Sequence, residues 1–249
     1  TPTPTRTPTP TPEPTPALLA QQDIGYVPIL MYHYVRDVDE GADPLGYRLS
    51  ITPDLFEQQM QWLADNDYTP IRMDHLADCL RGLTDCPDNA VVITFDDGYE
   101  DAATAALPIL ERYGFPATFY IVTEFVGRPG YLSWEQVALL HASGMEIGSH
   151  SLTHPDLAAI DLDAAEAQIV QSKAILEQQL GIPIRSFCYP IGSYSPEVAD
   201  LVRAAGYTNA VTTHQGRNLE QMFEIPRRRV LGGETLAALA WYLSEPTFD

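Results

Sequence analysis

Two adjacent carboxylates, Asp96 and Asp97, end an unbroken apolar run in the stretch VVITFDDGYEDA. Held together they repel, and one carboxyl must be pushed to a raised pKa unless a cation intervenes. Gly98 permits a tight turn at that point. Further along, SHSLTHPDL sets His150 and His154 four residues apart. In a helical turn that spacing puts both imidazoles on one face, as two His gripping one metal ion require. Each feature alone has a plain reading, as turn aspartates or surface histidines. Asp97, His150 and His154 together make a two-histidine, one-carboxylate set with open positions for water. That donor set suits Zn²⁺, and Co²⁺ or Ni²⁺ could substitute. A third stretch, RSFCYPIGSYS, ends a strand at Pro190 and turns at Ile191-Gly192. Backbone N–H groups at such a turn can face a pocket and hold an oxyanion, although a purely structural turn would look the same.

These residues need a frame that gathers strand ends. Apolar strands are predicted at 27–32, 90–95, 117–122, 145–149, 186–190, 208–212 and 227–231. Helices are predicted between them. One opens at Thr52 as N-cap with Pro53 behind it, and carries Phe56, Met60 and Leu63 on one face. Others run over 101–113, from the Ser133/Gln136 capping box to Gly144, over 163–180, over 196–205 and over 234–243. Continuous apolar strands alternating with helices point to parallel strands covered on both faces. About seven β–α units predict an α/β fold, a distorted (β/α) barrel, with an open doubly wound sheet as the alternative. In either, function gathers at the C-terminal ends of the strands.

Residues 1–16 hold seven Thr and seven Pro in near-strict alternation. Proline fixes φ and removes donors, so residues 1–22 read as an extended linker or stalk, and 23–249 as the folded domain. An extracellular or cell-surface setting is expected, with any anchor or signal upstream. No apolar run reaches the length of a membrane span. The net charge of −20 argues against nucleic acid as a partner. Of three cysteines, Cys79 and Cys86 could close a small loop or remain free thiols, and no CxxC pair signals a cysteine zinc site.

With these motifs in hand, TFDDGYEDAATAALPILERYGFPATFYIV, then HSLTH, then FCYPIGSYS resemble the first three motifs of the polysaccharide deacetylases, the NodB-like fourth family of carbohydrate esterases. The opening VPILMYHYV and the closing IPRRRV resemble the branch that includes biofilm poly-N-acetylglucosamine deacetylases, so the likeness covers roughly 27–231. It implies a metal-dependent N-deacetylase acting on an acetylated polysaccharide, and a monomer is expected. By that likeness Asp96 is the general base, and Asp97, His150 and His154 hold the metal. The Ile191 peptide N–H is the oxyanion donor, with Tyr189 beside it toward substrate. Many relatives carry an Arg two residues before the Pro of the third motif; here Cys188 stands there. Arg227, from IPRRRV, is the candidate to pair with Asp96 instead. The late Leu-x-x-His motif that supplies the acid is not evident. His33, ending the MYH strand, is the candidate acid, with His214 in reserve; His75 and His141 read as surface residues. An O-acetyl esterase and a non-catalytic glycan-binding module are the competing readings.

Overall fold

The computed structural model describes residues 24–216 and 218–244 of the chain, so the Thr/Pro segment over 1–22 lies outside the described residues. The strands are β1 (Ile29–Tyr32), β2 (Tyr34–Val35), β3 (Ser50–Ile51), β4 (Thr69–Ile71), β5 (Ala90–Phe95), β6 (Thr118–Ile121), β7 (Glu146–Ser149), β8 (Ser186–Cys188), β9 (Asn209–Val211) and β10 (Arg228–Arg229). The α-helices are α1 (Pro44–Leu49), α2 (Pro53–Asp65), α3 (Met73–Leu80), α4 (Leu107–Tyr113), α5 (Trp134–Ala142), α6 (Leu162–Leu180), α7 (Pro196–Ala204) and α8 (Leu236–Ser244).

Seven strands lie in the order β10-β1-β5-β6-β7-β8-β9, with β4 pairing the first half of β5. Every pairing in this sheet is parallel. The two edges approach each other through residues 225–229. Ile225 bridges Val211 on β9, and three residues later Arg228 pairs with Leu30 on β1. The sheet therefore curls into the distorted (β/α) barrel that the alternating pattern predicts.

Strand alternation decides what faces the barrel interior. Val91, Ile93 and Phe95 of β5 pack outward with Phe119, Ile147 and Phe187 beneath the helices. The intervening positions point inward: Val92 clusters with Tyr120, Cys188, Val211 and Ile225. Gly148 is needed in this wall, because a Cβ there would lie 2.6 Å from the Tyr120 ring. Thr94 and Asp96 continue the inward phase of β5, and His33 continues that of Ile29 and Met31.

The caps follow the sequence reading. The Thr52 hydroxyl accepts the Leu55 N–H at the start of α2, and the Ser133/Gln136 capping box opens α5. Beyond α1, α3, β2 and β3, which that reading does not place, two features depart from it. Pro70 hides β4, since proline argues against a strand away from an edge. The helix expected over 101–113 begins as a π-helical turn, Ala102–Ala106. Pro108 lacks the N–H that would continue the α-helical ladder there, and the wider turn accommodates its ring. No disulfide joins Cys79 and Cys86.

At the N-terminal end of the strands, Glu146 points inward and is buried. Its carboxyl accepts hydrogen bonds from the Thr118 and Ser186 hydroxyls and the Asp74 N–H. Burial pushes it up to about 7; the Asp74 charge adds to this, and the hydroxyl hydrogen bonds oppose it. The native state thus keeps a proton that the unfolded chain has released. The stability this contributes is fully present below pH ~4.5 and is lost as pH rises through ~7, a change on the order of 3 kcal/mol. Thermal melting from pH 5 to 8 should show this fall in the wild type. Glu146→Gln, which cannot ionise, should show a much flatter profile.

Candidate active site

Asp96 and Asp97 part company at the end of β5. Asp96 keeps the inward strand phase. Asp97 takes φ 73° and Gly98 φ 77°, so the chain turns and the second carboxylate swings toward the same pocket. A left-handed Asp followed by a left-handed Gly is a sharp reversal that side chains larger than Asn or Asp tolerate poorly.

Asp97 Oδ1 lies 3.3 Å from His150 Nε2 and 3.4 Å from His154 Nε2. His150 leaves β7 with its Nδ1 2.8 Å from the Cys188 carbonyl oxygen, a contact that fixes the ring and leaves Nε2 facing Asp97. The expected helical turn between the two His is absent. Ser151 and His154 have φ 65° and 62°, and the chain bends through them. Pro155 disfavours the α conformation at His154, and the Ser151 hydroxyl accepts the His154 N–H. Gln168 of α6 braces the bend, its amide oxygen accepting the N–H groups of Leu152 and Thr153. No local pattern marks Gln168, because its partners lie 15 and 16 residues away.

Among the described residues, two groupings bring candidate donor atoms within 4.8 Å of one another: Asp97 with His150 and His154, and Asp96 with His150 and Cys188. The second fits a cation poorly. Asp96 is committed to Arg227, and burial pushes the Cys188 thiol up, away from the thiolate a metal needs. The first offers three converging donor atoms, two imidazole nitrogens and one carboxylate oxygen, with one imidazole braced, and it fits a divalent cation.

Asp96 is buried and receives two parallel hydrogen bonds of 2.7 Å from Arg227. Burial alone would raise its pKa. The guanidinium overcomes this and holds the carboxyl well below the usual range, so it is ionised at neutral pH. Arg227 is itself fixed by the Thr94 hydroxyl at 3.0 Å, the Thr212 carbonyl at 2.9 Å and the Cys188 sulfur at 3.1 Å. Residues 225–229 put it there: Ile225 and Arg227 donate their N–H groups to the Ala210 and His214 carbonyls along the β9 edge. Thr94 was legible in principle, two residues before Asp96 on the same strand face.

His33 sits at the C-terminal end of β1. Its Nδ1 is buried without a hydrogen-bond partner. Burial lowers its pKa, against the opposing pull of Asp96 and Asp97. His214 is exposed, with its ring 6.0 Å from that of Tyr194. The site thus brings His33, and not His214, toward the paired aspartates. Ile191 is 58% exposed with φ 53°, in a single 3-10 turn, Pro190–Gly192, in which Pro190 has no N–H and the Gly192 N–H donates to the Tyr189 carbonyl at 2.9 Å.

The side chain of Tyr189 corrects the sequence reading. It follows the outward phase of Phe187, packs its ring against Phe187 and Tyr194, and donates its hydroxyl to the Phe223 carbonyl at 3.0 Å. Cys188, one residue earlier, takes the inward position. The Tyr189 phenol is thereby committed to the helix layer, away from the cluster of carboxylates and imidazoles.

The site as a whole joins an ionised, oriented carboxylate, a three-donor cluster fit for a cation and a half-buried imidazole at the C-terminal mouth of a parallel barrel. The sequence model of a family described as polysaccharide deacetylase matches residues 84–210. The Bacillus subtilis protein YxkH is 29% identical over 219 residues, 87% of this chain and 76% of that one. The poly-beta-1,6-N-acetyl-D-glucosamine N-deacetylase of Escherichia coli strain K12 is 31% identical over 154 residues, 54% of this chain; the match spans only 22% of that enzyme. The solved structure of the Streptococcus pyogenes deacetylase PplD in complex with acetate superposes with a TM-score of 0.82 at 26% identity, covering 88% of this chain and 99% of that chain.

Proposed function

The chain belongs to the polysaccharide deacetylase family, and from that premise we propose that it hydrolyses N-acetyl groups on a β-linked N-acetylglucosamine polymer. The products are acetate and free amines on the sugar. The observation that carries this reading is the convergence of Asp97, His150 and His154 beside an Asp96 carboxylate kept ionised by Arg227.

In this reading Asp97, His150 and His154 hold a divalent ion, with zinc the expected metal. Such an ion supplies Lewis-acid polarisation and lowers the pKa of water. Asp96 takes a proton from the attacking water, with Arg227 fixing the direction of its lone pairs. An amide nitrogen leaves poorly unless protonated; His33 in its imidazolium form would deliver that proton and be left neutral, while Asp96 holds the proton taken from water. The Ile191 N–H holds the oxygen of the acetyl carbonyl as negative charge develops on it. We propose an extracellular or cell-surface setting, with the Thr/Pro segment as a tether.

Acetate release measured against poly-β-1,6-N-acetylglucosamine, chitin oligomers, peptidoglycan and acetylxylan tests the substrate class. Release from the N-acetylated glycans is the expected result. Release from acetylxylan alone would make the protein an O-acetyl esterase. Glycan binding with no acetate from any substrate would make it a binding module.

A further inference from the structure

Four aromatic rings beside Asp97 have no part in the chemistry above. Tyr34 opens β2, Tyr99 follows the Asp97-Gly98 turn, and Phe125 and Tyr131 lie between β6 and α5. All four are half-buried. Their centroids form a continuous row: Tyr34 to Tyr99 is 4.1 Å, Tyr99 to Tyr131 is 4.9 Å, and Tyr131 to Phe125 is 4.9 Å. Arginines stand at both ends, with Arg36 3.6 Å from the Tyr34 centroid and Arg128 4.6 Å from that of Phe125.

The row is built on the site itself. Tyr99 bridges Tyr131 in antiparallel fashion. The Glu100 N–H donates to the Gly130 carbonyl at 3.0 Å, and the Leu132 N–H to the Gly98 carbonyl at 2.9 Å. The loop carrying Tyr131 is thus hydrogen-bonded to the turn that presents Asp97. At the other end, Tyr34 is the residue after His33.

A pyranose ring has C–H groups on its faces and hydroxyls around its rim. A wall of partly exposed phenol and phenyl rings offers the matching apolar surface with hydroxyls interspersed, at little entropic cost because each ring has two rotatable bonds. We propose that Tyr34, Tyr99, Tyr131 and Phe125 form a sugar-holding wall that binds the glycan unit next to the one being deacetylated, with Tyr131 and Phe125 as positioning residues. This rests on the proposed deacetylase reading and adds to it the side of the site along which the polymer runs. The wall is continuous with the Asp97 turn and the His33 strand, so a sugar seated on it adjoins the acetamido group under attack.

The test uses the full chain loaded with zinc and an N-acetylglucosamine tetramer, with kcat and KM from acetate release and affinity from calorimetry. Tyr131→Ala should raise KM about tenfold and leave kcat within about twofold, and Tyr131→Phe should restore KM, because the ring supplies the contact. Phe125→Ala should raise KM in the same direction. An unchanged KM and affinity in both Ala variants would overturn the wall while leaving the deacetylase reading intact. Tetramer binding that weakens on Tyr131→Ala, in a protein that releases no acetate, would keep the wall and remove the deacetylase reading. Tetramer binding too weak to detect in the wild type would overturn the wall.

Discussion

Asp96→Asn should lower kcat by about 10²–10⁴-fold, the contribution expected of a positioned general base. Asn fills the same volume but accepts no proton at neutral pH. The substitution leaves Asp97, His150 and His154 in place, so bound zinc, measured by elemental analysis, should stay at the wild-type ratio. KM should change less than kcat, because the lost interaction belongs to the transition state. A variant that keeps zinc and turns over at the wild-type rate would remove Asp96 from the reaction. Loss of zinc together with activity would instead make Asp96 part of the cation cradle.

Arg227→Met should cost about 3–5 kcal/mol of unfolding free energy, because it leaves a buried carboxylate without its counter-charge. Arg227 and Asp96 are both buried and share two hydrogen bonds. Met approximates the length of the arginine stem, so the loss should reflect charge and hydrogen bonding more than a void. The double variant Asp96→Asn with Arg227→Met should be less destabilised than the sum of the single variants, since the second change removes the charge that the first strands. Urea unfolding of the four proteins completes the cycle. Additive losses would mean that the pair does not act as a unit.

How far the sequence could be read depends on how far each partner lies along the chain. Asp96, Asp97, His150 and His154 are marked by local pattern, and their donor chemistry follows from residue type. The path joining the two histidines was not legible from spacing alone: an i, i+4 interval suggests a helical turn, whereas Ser151 and His154 adopt left-handed conformations ahead of Pro155. Arg227 lies 131 residues from Asp96, in a run of three arginines. The choice among the three follows from the closure of the barrel by residues 225–229, a tertiary event. Tyr189 could have been excluded from the sequence, since strand alternation through SFCY turns Cys188 inward and Tyr189 outward. The barrel itself was legible because parallel strands buried on both faces read as unbroken apolar runs. β4 escaped because Pro70 masks it, and the aromatic wall escaped because its rings come from three separate segments of the chain.

The central claim is that Asp97, His150 and His154 hold one catalytic cation. Stepwise addition of zinc to chelator-stripped protein, with the rate of acetate release from N-acetylglucosamine oligomers recorded at each step, tests it most directly. The rate should start at background, rise in proportion to added zinc, and level off at about one equivalent per chain. Full acetate release from the stripped protein, unaffected by added zinc, would contradict the account.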